Sequence, residues 1–227
     1  MEIFLDDPSV EKTFQELLSK IRLRKNGETV AQMKALGINY KINWGASVIS
    51  LRQLAKEYEK NHLLALKLWN KQWRETMILA TLLDEPDVLT EEQMDYWTKS
   101  FETPEIAEQA VANLFVHSKF AYVKALEYCR GKKHLVKHTG LHLVGRLAMI
   151  DKKAIDEMFE PFFGVLFPLI KDPALGQIFY RTIILMANRS EALRNSCKGF
   201  LELALEMEEE HPKNLANLLL EDIAEMQ

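Results

Sequence analysis

Apolar residues recur at every third or fourth position in nearly every segment between turn signals. No segment alternates convincingly between apolar and polar residues with the period of two that marks a half-buried strand. A spacing of three or four places the apolar side chains on one face of a helix, which can then be buried. The chain is therefore predicted to be all-α.

Capping residues mark where the predicted helices begin. An Asp or Thr stands before a proline at Asp7-Pro8, Thr103-Pro104 and Asp172-Pro173. The polar side chain can accept a hydrogen bond from the first turn, and proline at the first helical position loses no bond. Thr90–Gln93 has the pattern of a capping box. Four more helices are predicted to follow polar residues, at Ser47, Asn61, Ser118 and Asp151.

These starts divide the chain into about a dozen helices with short connections, arranged as successive antiparallel pairs. The pairs recur at roughly the 40-residue spacing of HEAT-like repeats. We therefore predict an α-solenoid of HEAT-like antiparallel helix pairs, forming one curved domain over residues 1–227. The concave face of such a stack is an extended groove that can follow a long partner.

The composition permits a sizeable core, since 48% of the 227 residues are hydrophobic and 27% are charged. No apolar run reaches the roughly 20 residues that a membrane-spanning helix needs, and the first residues lack a signal-peptide pattern. We expect a cytoplasmic monomer without a membrane association. Cys129 and Cys197 are too few for a disulfide framework and suit a reducing compartment.

Charge is distributed unevenly along the chain, although the net charge is only −4. Nine acids and one base give −8 over Asp84–Gln109, and eight acids and one base give −7 over Glu202–Gln227. The second of these acidic segments, about 202–227, is predicted to be a solvated cap on the stack. In contrast, nine bases and two acids give +7 over His117–Lys153. This basic segment predicts a surface for an anionic partner.

Three histidines in the basic segment share a helix face, because His134, His138 and His142 are four residues apart. At 1.5 Å per residue the outer two are about 12 Å apart, so one metal ion could bind two of them at most. No acid or cysteine nearby completes a ligand set. We predict no metal site and no cofactor, and interpret these histidines as groove or core residues.

A set of motifs runs in order along the chain, and the longest is Asn43–Lys56, NWGASVISLRQLAK. The shorter motifs that follow it are Leu66–Trp69, Arg74–Ala80, Leu83–Pro86, Glu91–Met94, Trp97, Phe101 and Asn113–Phe115. Together they resemble bacterial DNA alkylation-repair proteins of the AlkD-like family, and the match covers roughly residues 30–150. The resemblance implies a HEAT-like fold and duplex DNA, alkylated or distorted, as the partner. Arg74-Glu75, beside an apolar stripe, is interpreted as an ion pair that braces neighbouring repeats.

The resemblance also implies a chemistry, the release of N3- or N7-alkylated purines. A carboxylate beside the sugar stabilises the charge that develops there and orients water. Active members carry Trp followed four residues later by Asp, and this sequence has Pro104 and Glu108. Glu108 is the candidate catalytic residue, one methylene longer than the family's Asp, and a displacement of about 1 Å can cost roughly 100-fold in rate.

The predicted DNA-binding residues are cationic or titratable positions in and beyond the basic segment: Lys132, Lys133, Lys137, His138, Arg146 and Arg181. By the same resemblance, His138 stands at a position that is basic in the family. Leu135 and Leu185 stand where active members carry an aromatic residue and a second Trp. Phosphate-contacting lysines and arginines are what a DNA groove requires.

Three functions remain open at this point. The first is a DNA-binding alkylation-repair protein with or without glycosylase activity. The second is a non-catalytic protein that binds damaged, distorted or branched DNA, which keeps the cationic surface but needs no Glu108. The third is a protein-interaction scaffold that uses the solenoid groove for an acidic partner.

Overall fold

The computed structural model describes residues 7–226. All regular secondary structure in this range is helical, with thirteen α-helices, four short 3₁₀ turns and no strand. The all-α prediction is thus confirmed. The chain forms two compact units, which divide between Ser118 and Lys119. That residues 1–227 make one curved domain remains a prediction.

The first unit contains seven α-helices: α1 (Pro8–Leu23), α2 (Gly27–Ala35), α3 (Val48–Ala55), α4 (His62–Asn70), α5 (Arg74–Leu83), α6 (Glu91–Ser100) and α7 (Pro104–Asn113). A 3₁₀ turn, Phe115–His117, follows them. Helix α5 is the core of this unit and packs against α3, α4 and α7. Beside it, the buried rings of Trp69 and Trp97 stack with centroids 3.9 Å apart.

The second unit contains six α-helices: α8 (Ala121–Cys129), α9 (His134–Ile150), α10 (Glu160–Leu166), α11 (Gly176–Ala187), α12 (Glu191–Leu205) and α13 (Glu210–Ala224). Its 3₁₀ turns are Asp156–Phe159, Leu169–Lys171 and Pro173–Leu175. Helix α9 packs against α8 on one side and α11 on another, and α12 pairs with α13. Its 17 residues make α9 the longest helix of the described chain.

Five of the predicted helix starts are confirmed. The side chains of Asp7, Ser47, Asn61, Thr90 and Thr103 each accept a hydrogen bond from a backbone N–H in the first turn of the helix that follows. The capping box at Thr90 is only half formed. Gln93 accepts no hydrogen bond from the Thr90 N–H, and its side chain instead donates Nε2–H to Oδ2 of the buried Asp84 at 2.6 Å.

The other three predicted starts differ from the structure. Asp172 caps the 3₁₀ turn Pro173–Leu175, and α11 begins only after that turn. Ser118 lies ahead of the helix, because α8 starts after Phe120. Asp151 follows the end of α9 and accepts hydrogen bonds from the N–H groups of Lys153 and Ala154. An Asp side chain that accepts hydrogen bonds within a turn is not available to cap a following helix.

Two glycines allow α9 to lie close to its neighbours. A Cβ atom at Gly140 would stand 2.5 Å from the backbone nitrogen of Cys129 in α8. A Cβ at Gly145 would stand 3.1 Å from Cδ1 of Leu185 in α11. Thr182 of α11 also donates its hydroxyl to the Leu141 carbonyl at 2.9 Å. Helix α9 is therefore held firmly on two sides, which fixes the side chains that it presents elsewhere.

Candidate nucleic-acid interface

Helix α9 and the two residues before it carry positive charge without any acid. Between Lys132 and Ile150 the sequence has four permanent cations, three histidines and no Asp or Glu. The cations are Lys132, Lys133, Lys137 and Arg146, all of which were predicted to bind DNA. The sequence of this segment thus concentrates positive charge, because none of its own residues is acidic.

The structure separates these four cations into two groups. Lys137 and Arg146 are nine residues apart on α9, which is roughly 2.5 helical turns, so they point to opposite sides of the helix. Lys133 precedes Lys137 by about one turn and lies on its side. Lys132 and Lys133 are exposed and Lys137 is half-buried. These three lysines, called here the lysine end of α9, form the first group.

The backbone adds to the charge of the lysine end. Lys133 is the N-cap residue of α9 and makes no side-chain capping hydrogen bond. The first turn of a helix has unsatisfied N–H groups and the positive end of the helix dipole, both of which favour an anion. The lysine end thus combines three cationic side chains with fixed backbone donors.

Arg146 lies on the other side of α9, together with His138 and His142 at spacings of four residues. Arg146 and His142 are half-buried, whereas His138 is only 8% exposed. The rings of His134 and His138 have centroids 6.4 Å apart. Burial of His138 places its imidazole in the packed part of this side, whereas Arg146 is more accessible.

Arg181 borders the same side. Helices α9 and α11 run in the same direction, since His134 contacts Ala174 near their starts and Leu141 contacts Thr182 further along. Leu185 lies against Gly145, the residue before Arg146. Arg181 is exposed and one turn before Leu185 on α11. Arg146 and Arg181 therefore flank the junction of α9 and α11, called here the arginine seam.

Glu108, the candidate catalytic residue, is half-buried on α7 in the first unit. Glu105 precedes it by three residues and thus lies on the same side of that helix. Glu105 is already engaged in a two-pronged ion pair with Arg74 and accepts a hydrogen bond from the Tyr40 hydroxyl at 2.5 Å. Glu105 is thus held in a structural ion pair, and Glu108 remains the candidate that the family resemblance singles out for chemistry.

The predicted ion pair between Arg74 and Glu75 is present and buried. Nη1 of Arg74 lies 3.2 Å from Oε1 of Glu75, and it also donates to the Ala46 carbonyl at 2.8 Å. The Glu75 carboxylate in turn accepts hydrogen bonds from the backbone N–H groups of Trp44 and Ala46. Burial alone would lower the pKa of Arg74, but its hydrogen bonds to Glu105 and the charges of both glutamates more than offset this, so the pKa is raised.

One basic region was missed by the sequence reasoning. Eight bases and one acid give +7 over Lys20–Lys56, the same excess as in His117–Lys153. A count of charged residues over a window as long as His117–Lys153 would have revealed this region. The structure places much of this charge on and around α2, a helix with no buried residue.

Residues 7–226 lack two other kinds of feature. No three histidine, cysteine or acidic side chains in that range come together in a way that could hold a metal ion. No helix in that range is long and apolar enough to cross a membrane.

These features define an all-helical protein with a cationic, acid-free helix in its second unit. Residues 17–131 match the family model described as DNA alkylation repair enzyme, which is half of the chain, and the chain belongs to that family. The family resemblance seen in the sequence is thereby confirmed. A comparison with curated proteins finds no match.

A solved structure of similar fold supports the architecture. It is described as a new family of proteins related to the HEAT-like repeat DNA glycosylases with affinity for branched DNA structures. The two superimpose with a TM-score of 0.73 over 92% of this chain and 94% of that one, at 13% sequence identity. The likeness confirms the predicted HEAT-like helical architecture.

Proposed function

We propose that this protein binds DNA, with the lysine end of α9 and the arginine seam as contacts to the phosphate backbone. The observation that carries the proposal is the absence of any acid between Lys132 and Ile150, where four permanent cations stand. Membership in the DNA alkylation repair enzyme family supports DNA as the polyanion.

The lysine end is suited to phosphate because its charges are not already used. Within residues 7–226, Lys132, Lys133 and Lys137 form no ion pair with an acidic side chain. A phosphate can therefore bind without the loss of an internal pair. Each phosphate neutralised releases condensed counterions, so DNA affinity is expected to fall steeply with salt concentration.

We further propose that the preferred DNA is distorted or branched. The solved structure of similar fold is described as having affinity for branched DNA, which supports this preference for the present chain. The sequence points the same way, because Pro104 and Leu185 stand where glycosylases of the family carry tryptophans. Recognition of a distorted backbone needs phosphate contacts and no excision chemistry.

The test is a pair of salt-dependent binding curves for the full chain, measured by anisotropy with a labelled duplex and a labelled four-way junction. The variant Lys132→Gln/Lys137→Gln is expected to lower the slope of log affinity against log salt by about 1.8, since each phosphate contact contributes about 0.9. The matched control is Lys198→Gln/Lys213→Gln on α12 and α13, which removes two charges from the same unit and should leave the slope unchanged.

Two outcomes would overturn the proposal. One is an unchanged slope for Lys132→Gln/Lys137→Gln. The other is a polyglutamate peptide that competes as well as DNA, which would favour the protein-interaction scaffold. Equal affinity for duplex and junction at the same salt would remove the preference for branched DNA.

Base excision is a second candidate function, favoured by the family match and by the half-buried position of Glu108 on α7. In that reaction Glu108 would stabilise positive charge on the sugar while the alkylated purine, already cationic, departs. DNA binding through α9 is compatible with this chemistry and does not require it.

A further inference from the structure

Helix α2 and the segment after it form an exposed basic region in the first unit. None of the nine residues of α2 is buried, and Leu36, just after the helix, is 78% exposed. The helix is held mainly by its ends. Asn26 caps it and donates its backbone N–H to the Trp44 carbonyl at 2.8 Å, and Asn43 contacts the sulfur of Met33. A helix that buries no side chain contributes little to the core, so its role must be sought at its surface.

Cations surround two tryptophans beside this helix. The rings of Trp44 and Trp73 have centroids 5.5 Å apart. The Arg22 guanidinium lies 5.9 Å from the Trp44 ring and 5.4 Å from the Trp73 ring, and the Lys71 ammonium lies 5.2 Å from the Trp73 ring. Such contacts position the cations but do not neutralise them, because the rings carry no net charge.

Trp44 also opens onto a shallow cavity of about 290 Å³ whose lining includes Lys34 and Lys41. Trp44 is half-buried, whereas Trp69, Trp73 and Trp97 are buried. Its indole Nε1–H has no hydrogen-bond acceptor among residues 7–226. Nε1 is itself buried, so a ligand in the cavity would contact other atoms of Trp44.

The four cations around Trp44 also keep their charges available. Arg22, Lys34, Lys41 and Lys71 are exposed, and within residues 7–226 none of them forms an ion pair with an acidic side chain. We call these four residues together with Trp44 the α2 surface. Cations interleaved with an accessible aromatic ring are the combination with which proteins hold nucleic-acid backbones and unstacked bases.

We propose that the α2 surface is a second DNA contact, in which the four cations bind backbone phosphates and Trp44 meets a sugar or an unstacked base. This inference rests on the proposed DNA-binding function and deepens it, since a branched or distorted DNA offers backbone in more than one direction and bases out of the stack. The charge excess of +7 over Lys20–Lys56 makes this region electrostatically complementary to the phosphate backbone of DNA.

The test compares charge-neutralising variants in the full chain. Lys34→Gln/Lys41→Gln is expected to lower the slope of log affinity against log salt by about 1.8, from two lost contacts at about 0.9 each. Lys12→Gln/Lys99→Gln is the matched control, because both lysines are exposed, lie in the same unit and are outside the α2 surface. All four side chains are exposed, and urea unfolding of each variant checks that stability is unchanged.

The outcomes separate this inference from the proposed function. If Lys34→Gln/Lys41→Gln keeps the slope while Lys132→Gln/Lys137→Gln lowers it, the α2 surface is not a DNA contact and the proposed function stands. If neither variant lowers the slope, both proposals are wrong. If the α2 variant alone lowers it, the α2 surface is supported and the placement of phosphate on α9 is wrong.

Tryptophan fluorescence gives an independent reading of the same contact. DNA that reaches the α2 surface should quench Trp44, and Trp44→Phe should remove most of the DNA-dependent change because the other three tryptophans are buried. An undiminished change in Trp44→Phe would contradict contact at this ring. A polyglutamate peptide that quenches Trp44 as DNA does would show that the surface selects acidic peptides, which overturns the assignment to DNA.

Discussion

Arg74 and Glu105 join α5 to α7 through two parallel hydrogen bonds, from Nε to Oε2 at 2.8 Å and from Nη2 to Oε1 at 2.5 Å. Arg74 is 3% exposed, and its remaining nitrogen reaches Glu75 and the Ala46 carbonyl. One guanidinium thus fixes two helices and the segment that leads into α3. This geometry is the fork that arginine offers and lysine does not.

Removal of the guanidinium is therefore expected to be costly. Arg74→Gln leaves the carboxylates of Glu75 and Glu105 without their cation, and we expect a loss of about 3–5 kcal/mol in the free energy of unfolding, measured in urea. The control is Lys171→Gln, which breaks an ion pair with Glu209 whose side chains are 45% and 51% exposed. That variant should lose less than about 1 kcal/mol. Equal losses would contradict the structural role given to Arg74.

The close approach of α8 and α9 makes a second prediction. Gly140→Ala would place a methyl group 2.5 Å from the Cys129 backbone nitrogen, so the helices must move apart. We expect a loss of about 1–3 kcal/mol from this overpacking. Gly199→Ala is the control, because a Cβ there meets nothing within 4 Å on α12, and it should gain about 0.5–1 kcal/mol. Thermal or urea unfolding checks both, and a neutral Gly140→Ala would refute the close packing.

The two cysteines are expected to be inert in the folded protein. Burial raises the pKa of Cys129 and of Cys197 to about 12, from an ordinary 9.0. Because the folded pKa is the higher one, this contribution to stability is present below pH 9 and is lost as the pH rises towards 12. A thiol reagent at pH 8 should modify neither residue in the native state and both in denaturant. Rapid modification of either native thiol would contradict its burial.

Glu108 offers the sharpest test of base excision. If the protein is a glycosylase, it should release methylated purine from alkylated DNA, and Glu108→Gln should abolish the release because the neutral amide cannot stabilise charge on the sugar. Glu102→Gln is the control, since Glu102 is an exposed acid just before α7 and should leave activity unchanged. No release by the unaltered protein, under conditions where an active relative works, would remove the enzyme assignment. Binding should survive Glu108→Gln in either case.

Much of the fold could be predicted because its signals are local. The caps at Asp7 and Thr103 depend only on neighbouring residues, so the sequence was sufficient. The start at Asp151 was predicted wrongly because its side chain stabilises the turn after α9, and the start at Ser118 because α8 begins only after Phe120. The Gln93 side chain likewise bonds to Asp84, a contact between two helix ends that the local capping-box pattern does not report.

The candidate site was predicted less completely, for two physical reasons. Burial of His138 and the partnership of Arg74 with Glu105 depend on contacts between helices, which no local pattern reports. That Lys137 and Arg146 point to opposite sides of α9 follows from their spacing in a helix, so the sequence alone was sufficient to predict it. The α2 surface lies outside the positions that resemble a known active site, although three of its four cations fall within the basic stretch Lys20–Lys56.

The shallow attachment of α2 gives the first unit an element that can melt by itself. Because no side chain of Gly27–Ala35 is buried, its opening exposes little apolar surface and should cost far less than global unfolding. Backbone amides in this helix should then exchange with deuterated water much faster than those of α5, whose residues are almost all buried. A helix that opens at low cost can change its conformation on binding. The α2 surface would then adapt to DNA molecules of different shape while the core of the first unit stays folded.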